Sequence, residues 1–239
     1  MSEQRAWDRL PDLARAVRVG HYSVGITGGA HDFLHAARVA DVAGRLLVGD
    51  VDERILNLAM AGGFCHNADR VLQYTMHAGH RKDVHRDKVA ALITDWLSAE
   101  PRINRADWPL VIADVLAHDQ GNFEGDPITL QALRDADRYV GVGAEVVMRA
   151  GQFYHDKPAV SPYLLHEPGV SFREPGSVLR DIDHNCEWES GTFGLRLSRA
   201  KQMARERFAY LRSYMERVKK EWAEDGLGDG IETFPFPLP

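Results

Sequence analysis

Apolar residues recur along this chain at intervals of three and four, the period of α-helices that bury one face. Over 31–47, His35, Val39, Val42 and Leu46 form one such stripe. Residues 53–70 are apolar on nearly every side, which predicts one central helix buried all round. Gly62 and Gly63 weaken that helix but admit a close neighbour. Further stripes run through His85, Val89, Leu92 and Trp96, and through Val111, Val115 and His118. The second of these follows Asp107, Trp108 and Pro109, which read as an N-cap and first turn. Asp126 and Pro127 repeat that start signal ahead of Leu130, Leu133, Asp137, Val140 and Ala144. The longest stripe, from Ala200 through Phe208 and Leu211 to Trp222, lies in a run free of Gly and Pro between Leu195 and Glu224. It predicts a long docking helix.

Strand-like alternation is nowhere sustained, so the fold class is all-α. The expected organisation is a single compact helical domain over 1–224, with a loop-rich insertion at 155–192 marked by Pro158, Pro162, Pro168 and Pro175. The tail 225–239, GLGDGIETFPFPLP after Asp225, is expected to be extended. A length of 239 residues with 44% hydrophobic and 27% charged residues leaves ample core and excludes disorder. The formal charge is −6, and the basic residues are scattered, which argues against a nucleic-acid polymer as partner and leaves small phosphate-bearing ligands open. No uncharged run exceeds the stretch from Ile55 to Asp69, too short to span a membrane. The charged start MSEQRAWDRL has no signal-peptide core, and Cys65 and Cys186 supply no disulfide framework, so a cytoplasmic setting is the expectation.

Five stripe positions are chemically out of place. His35, His66, His85, His118 and Asp137 each occupy an inward position on a different predicted segment. Burying an imidazole or carboxylate is costly unless it is paired, hydrogen-bonded or metal-bound, and helical bundles build metal sites from facing side chains. A single such histidine is more often a core residue bonded to a carbonyl. Five together point to a His/Asp cluster. Asp137 is the strongest member, although Arg134, Arg138 or Arg149 offers it a structural partner, and His85 is the weakest, flanked by charges. Mixed nitrogen and oxygen ligands suit a divalent ion among Mn, Fe, Co, Ni, Zn and Mg.

The segments HDFLHAARV at 31–39, GGFCHNADR at 62–70, VLAHDQGN at 115–122 and LQALRDADRYVGVGAEVVMRAG at 130–151 resemble the HD-domain metal-dependent phosphohydrolases, in particular a small bacterial branch with HDxxH and DADRL-like segments. The resemblance implies His35, His66 and Asp137 as metal ligands, with His118 near the phosphate or on a second metal, and His85 as a less secure further histidine. It also exposes a departure. The defining Asp of the His-Asp pair is here Asn67, a neutral and poorer ligand. Asp69, three residues after His66 and so on the same side of a continuous helix, is the candidate to compensate.

The implied reaction is hydrolysis of a small phosphate ester, of a nucleotide or related molecule, with Arg38 and Arg70 as phosphate-neutralising cations and His118 as proton donor to the leaving oxygen. The competing reading is a catalytically silent nucleotide- or metal-binding sensor, favoured by Asn67. A Cys65 nucleophile with His66 as base ranks below both, because adjacent helical residues point about 100° apart. The aromatics of the 199–224 helix leave a homodimer contact open.

Overall fold

The computed structural model describes residues 4–28, 31–77, 83–161, 163 and 174–227. Among them the regular structure is helical, with no strand. The elements are α1 (Ala6–Arg9), α2 (Pro11–Ser23), α3 (Phe33–Leu47), α4 (Glu53–Cys65), α5 (Ala68–His77), α6 (Arg86–Ser98), α7 (Trp108–Ala117), α8 (Ile128–Val140), α9 (Ala144–Phe153), α10 (Val178–Cys186) and α11 (Ser198–Glu224), with short 3-10 turns at Arg105–Asp107 and Glu187–Glu189. The helices group into two compact units, Met1–Val140 with Leu195–Ala200, and Gly141–Gly194 with Lys201–Pro239.

The first unit is centred on α3, α4 and α8, which pack mutually. Asp32 and Asp52 start α3 and α4 as N-caps, each carboxylate accepting the backbone N–H three residues on, at 2.8 Å in both. The close approach anticipated at the glycine pair is real at Gly63. A Cβ there would lie 2.5 Å from the Ala40 Cα of α3, so only glycine fits. In the second unit α9 packs on α10, and Ala204, Phe208, Leu211 and Met215 of α11 are buried.

Three expectations differ from what is observed. The 53–70 segment is two helices, because the chain turns at His66 and Asn67 before α5 begins. Asp107 does not cap α7 with its side chain; both carboxylate oxygens are taken by Arg54, at 3.0 and 2.5 Å, and charge pairing outcompetes the cap. The loop-rich 155–192 stretch contains α10, started by Ser177 accepting from the Arg180 N–H. Residues 162 and 164–173 of that stretch, and 228–239 of the expected tail, lie outside the described residues. The tail's first residues close α11. Gly226, at φ +78°, donates to the Ala223 carbonyl and Leu227 to that of Trp222, a left-handed C-terminal turn that favours glycine.

Candidate metal centre

Three of the sequence-selected side chains meet. His35 of α3, His66 at the end of α4 and Asp137 of α8 each offer one ligand atom, and these atoms lie within 4.8 Å of one another. The His35 Nε2 stands 3.1 Å from Asp137 Oδ1, and the His66 Nε2 stands 3.7 Å from the same oxygen. The His35 and His66 rings are edge to face at 5.1 Å. Both histidines are buried, while the Asp137 carboxylate is one-third exposed, so the cluster opens on its carboxylate side.

Backbone carbonyls settle the His66 tautomer. A carbonyl only accepts, so the 2.7 Å contact between His66 Nδ1 and the Gly63 oxygen places the proton on Nδ1 and leaves the lone pair on Nε2. That Nε2 is buried without a hydrogen-bond partner among the described residues. Burial pushes the His66 pKa down to about 3, holding the ring neutral, as a metal ligand must be. Burial by itself would raise the Asp137 pKa; the hydrogen bond from His35 and the three nearby histidines outweigh it and keep the carboxylate ionised. Two imidazole nitrogens, one of them the orphaned His66 Nε2, and one carboxylate fit a divalent cation.

His118 joins from the end of α7. Its ring lies 5.6 Å from that of His66, and its Nδ1 donates to the Val115 carbonyl at 2.6 Å, leaving Nε2 as the basic nitrogen. Asn67 is buried beside His66, with its Nδ2 lacking a partner among the described residues. Arg38 is half-buried one turn beyond His35 on α3.

Other candidates fall outside the cluster. The turn at 66–67 takes Asp69 off the helix that carries His66, and it instead faces Arg70, at 3.6 Å. Arg70 is further held by Gln73 at 2.9 Å. His85 is exposed at the N-cap of α6, where its Nδ1 accepts from the Asp87 N–H, so its stripe position reflects capping. Cys65 is fully buried, and burial pushes its thiol pKa far up, which leaves no thiolate for attack.

The residues flanking Asp137 hold the loop that follows His118. Arg134 donates to the Ala117 carbonyl at 2.7 Å and to Asp126 at 2.5 Å, and Arg138 donates to Asn122 at 2.9 Å. Asp135 points the other way, accepting the backbone N–H groups of Arg196 and Leu197 at 2.7–3.0 Å. His21 was not selected from sequence. It is fully buried, with Nδ1 on the Val17 carbonyl, and the Leu13, Val17 and His21 stripe of α2 was the available signal.

No protein-family profile matches the chain, and no curated protein matches it either. Solved structures do. An HD-superfamily hydrolase from Bacillus thuringiensis is 18% identical over 89% of this chain and 97% of its own, with a TM-score of 0.55. Bacillus subtilis YpgQ is 19% identical over 92% and 97%, with a TM-score of 0.56. Its complex with ADP matches at 21% identity over 87% and 94%, with a TM-score of 0.54. At identities this low the likeness concerns architecture, and it is consistent across these structures: the chain has the all-α fold of the HD-superfamily hydrolases.

Proposed function

We propose that this protein is a metal-dependent hydrolase of small phosphate esters, with His35, His66 and Asp137 holding a divalent cation. The observation that carries the reading is the convergence of their three ligand atoms, with the His66 Nε2 buried and unpartnered. Such a cation supplies charge neutralisation at a phosphoryl oxygen and acidifies water.

The chain's own residues do the rest. The Gly63 carbonyl fixes the His66 ring so that its lone pair faces Asp137. His118, tied to Val115 through Nδ1, presents its basic Nε2 to take a proton from the attacking water and pass it to the leaving oxygen. Arg38 balances charge on the phosphate from α3, and Arg70 does so from α5 once drawn from Asp69. A nucleoside phosphate is the favoured substrate class, supported by the YpgQ structure with ADP.

Elemental analysis of protein purified without chelator is the first test, with near-stoichiometric divalent metal expected and its loss in His35→Ala. A panel of nucleotides and sugar phosphates, assayed with Mn, Co, Ni and Mg, should give turnover that Asp137→Ala abolishes. Metal content that His35→Ala leaves unchanged overturns the site. Asn67 favours a second reading, a silent nucleotide or metal sensor, because a buried neutral amide stands where the resemblance calls for a carboxylate. Stoichiometric metal without turnover on any ester selects that reading.

A further inference from the structure

A second polar site lies at the opposite end of α4 from His66. A cavity of about 310 Å³ opens between the start of α4 and the segment leading into α7, with Leu58 and Ile103 as its buried floor. Arg54, Asn57, Arg102, Asn104 and the carboxylate of Asp107 line its walls.

What these walls offer is almost entirely hydrogen-bond donors. The Asn57 Oδ1 accepts from Arg9 Nε at 2.5 Å, and the Asn104 Oδ1 accepts from the Ala106 N–H at 2.9 Å. Both partners are donors, so the amide oxygens must face them and each NH2 group is left over. Asp107 spends both oxygens on Arg54. Glu100, fully buried, spends its own on Arg102 and on the Asp12 and Leu13 N–H groups at the start of α2. Arg54 keeps Nη1, and Arg102 keeps Nε and Nη2, without partners among the described residues.

The charges are sorted in depth as well. The guanidinium side chains are 54% and 50% exposed, whereas their carboxylate partners are 11% and 0% exposed. The two guanidiniums are therefore more open to solvent than the carboxylates paired with them, while Asp52 and Glu53 stand exposed beside Arg54 at the start of α4. Both α4 and α7 start at this cavity, which adds the positive ends of two helix dipoles.

We propose that this cavity binds a phosphate group, as the free ion or as the terminus of a small ester, independently of the metal centre. Two guanidiniums and two amide groups surround the space from separate segments, which suits the several acceptor oxygens of a tetrahedral phosphate better than the planar pair of a carboxylate. Arg54 and His66 are twelve residues apart on the α4 segment, about 18 Å at the helical rise. The ligand would tie together the N-terminal ends of two helices whose C-terminal ends carry His66 and His118.

The test is isothermal titration of the full chain with inorganic phosphate in EDTA, at constant ionic strength, where the metal centre is empty by design. Binding is expected in the wild type and in Asp137→Ala, and about tenfold weaker in Arg102→Gln. Arg54→Lys keeps the charge opposite Asp107 but loses the planar fork, and it should weaken phosphate comparably. Malonate should bind less tightly than phosphate. Absence of binding to the wild type in EDTA overturns the site, as does binding that Asp137→Ala removes while Arg102→Gln leaves it intact. Malonate binding as tight as phosphate overturns the ligand assignment.

Discussion

Replacing Gly63 by Ala tests the packing that brings His35 and His66 together. The new Cβ would lie 2.5 Å from the Ala40 Cα, 2.6 Å from the Ala40 N and 3.0 Å from the Val39 carbonyl carbon. Carbon atoms pack at about 3.5–4.0 Å, so α3 and α4 must separate by roughly 1 Å, and no side chain can rotate away because all three neighbours are backbone. Overpacking of this kind costs about 1–3 kcal/mol, with backbone clashes at or above the upper end. Alanine returns about 1 kcal/mol in helix propensity, which leaves a net loss of about 2 kcal/mol or more. Gly62→Ala is the internal control. Its Cβ meets only the Leu133 Cδ2 at 3.4 Å, an ordinary contact, so it keeps the propensity gain without the clash. Thermal melts followed by circular dichroism should lower the Gly63→Ala midpoint by about 4–8 °C, while Gly62→Ala is unchanged or slightly raised. Because His35 rides on α3 and His66 on α4, with rings 5.1 Å apart, the same 1 Å should weaken metal binding in Gly63→Ala alone. Gly63→Ala as stable as Gly62→Ala would refute the close helix approach and the geometry built on it.

Asn67→Asp places a carboxylate in a buried position where the amide nitrogen now has no partner; the metal-free protein should lose stability, and divalent metal affinity should rise about 10–100-fold, both read by melts with and without metal. An unchanged affinity would separate position 67 from the metal shell. Burial raises the Asp114 pKa from 3.8 to about 6, against the hydrogen bond from Thr129. A raised carboxyl pKa means the folded state holds the proton more tightly, so this group's contribution is full below about pH 4 and is lost as pH rises to about 6. Asp114→Asn should flatten stability across that window and add up to roughly 3 kcal/mol near pH 7, measured by urea titration at each pH. Asn122→Ala removes the acceptor that Arg138 uses to hold the loop after His118, and amide hydrogen exchange over 119–125 should quicken about fivefold while metal affinity stays unchanged.

Much of the candidate site was legible because its residues break a pattern. Asp137 follows Leu130 and Leu133 on an otherwise apolar stripe, and such a carboxylate needs a partner wherever the helix goes. The same rule misplaced His85, since an N-cap occupies the stripe position one turn before the first buried residue and is chemically served by the same side chain. Asp135 was illegible as a capping residue. Two positions before Asp137 it faces roughly the opposite side of α8, and its partners are backbone groups of Arg196 and Leu197, about sixty residues away, which no local pattern announces. The role of Asp107 failed for a related reason: the cap was the local expectation, and Arg54, more than fifty residues earlier, supplied a stronger interaction.

The turn at His66 and Asn67 is the feature that most changes the site, and it has a physical logic. A helix end leaves carbonyls without intrahelical donors. His66 serves one of them through Nδ1, on the Gly63 oxygen three residues back; at the end of α7 the Val115 oxygen accepts both the His118 backbone N–H, at 3.5 Å, and the His118 Nδ1–H. The His66 contact thus serves a helix-end carbonyl, fixes the ring's orientation and forces the lone pair onto Nε2. A histidine inside a continuous helix meets carbonyls already engaged by the helical ladder, so its tautomer would be set by other groups. Had 53–70 been unbroken, Asp69 would have shared a face with His66 and stood ready as a replacement ligand. The break that prepares the His66 Nε2 is the same break that turns Asp69 toward Arg70. Compensation for Asn67 by Asp69 is therefore in conflict with the geometry of the cluster, in which Asp137 is the one carboxylate within reach of both histidines among the described residues.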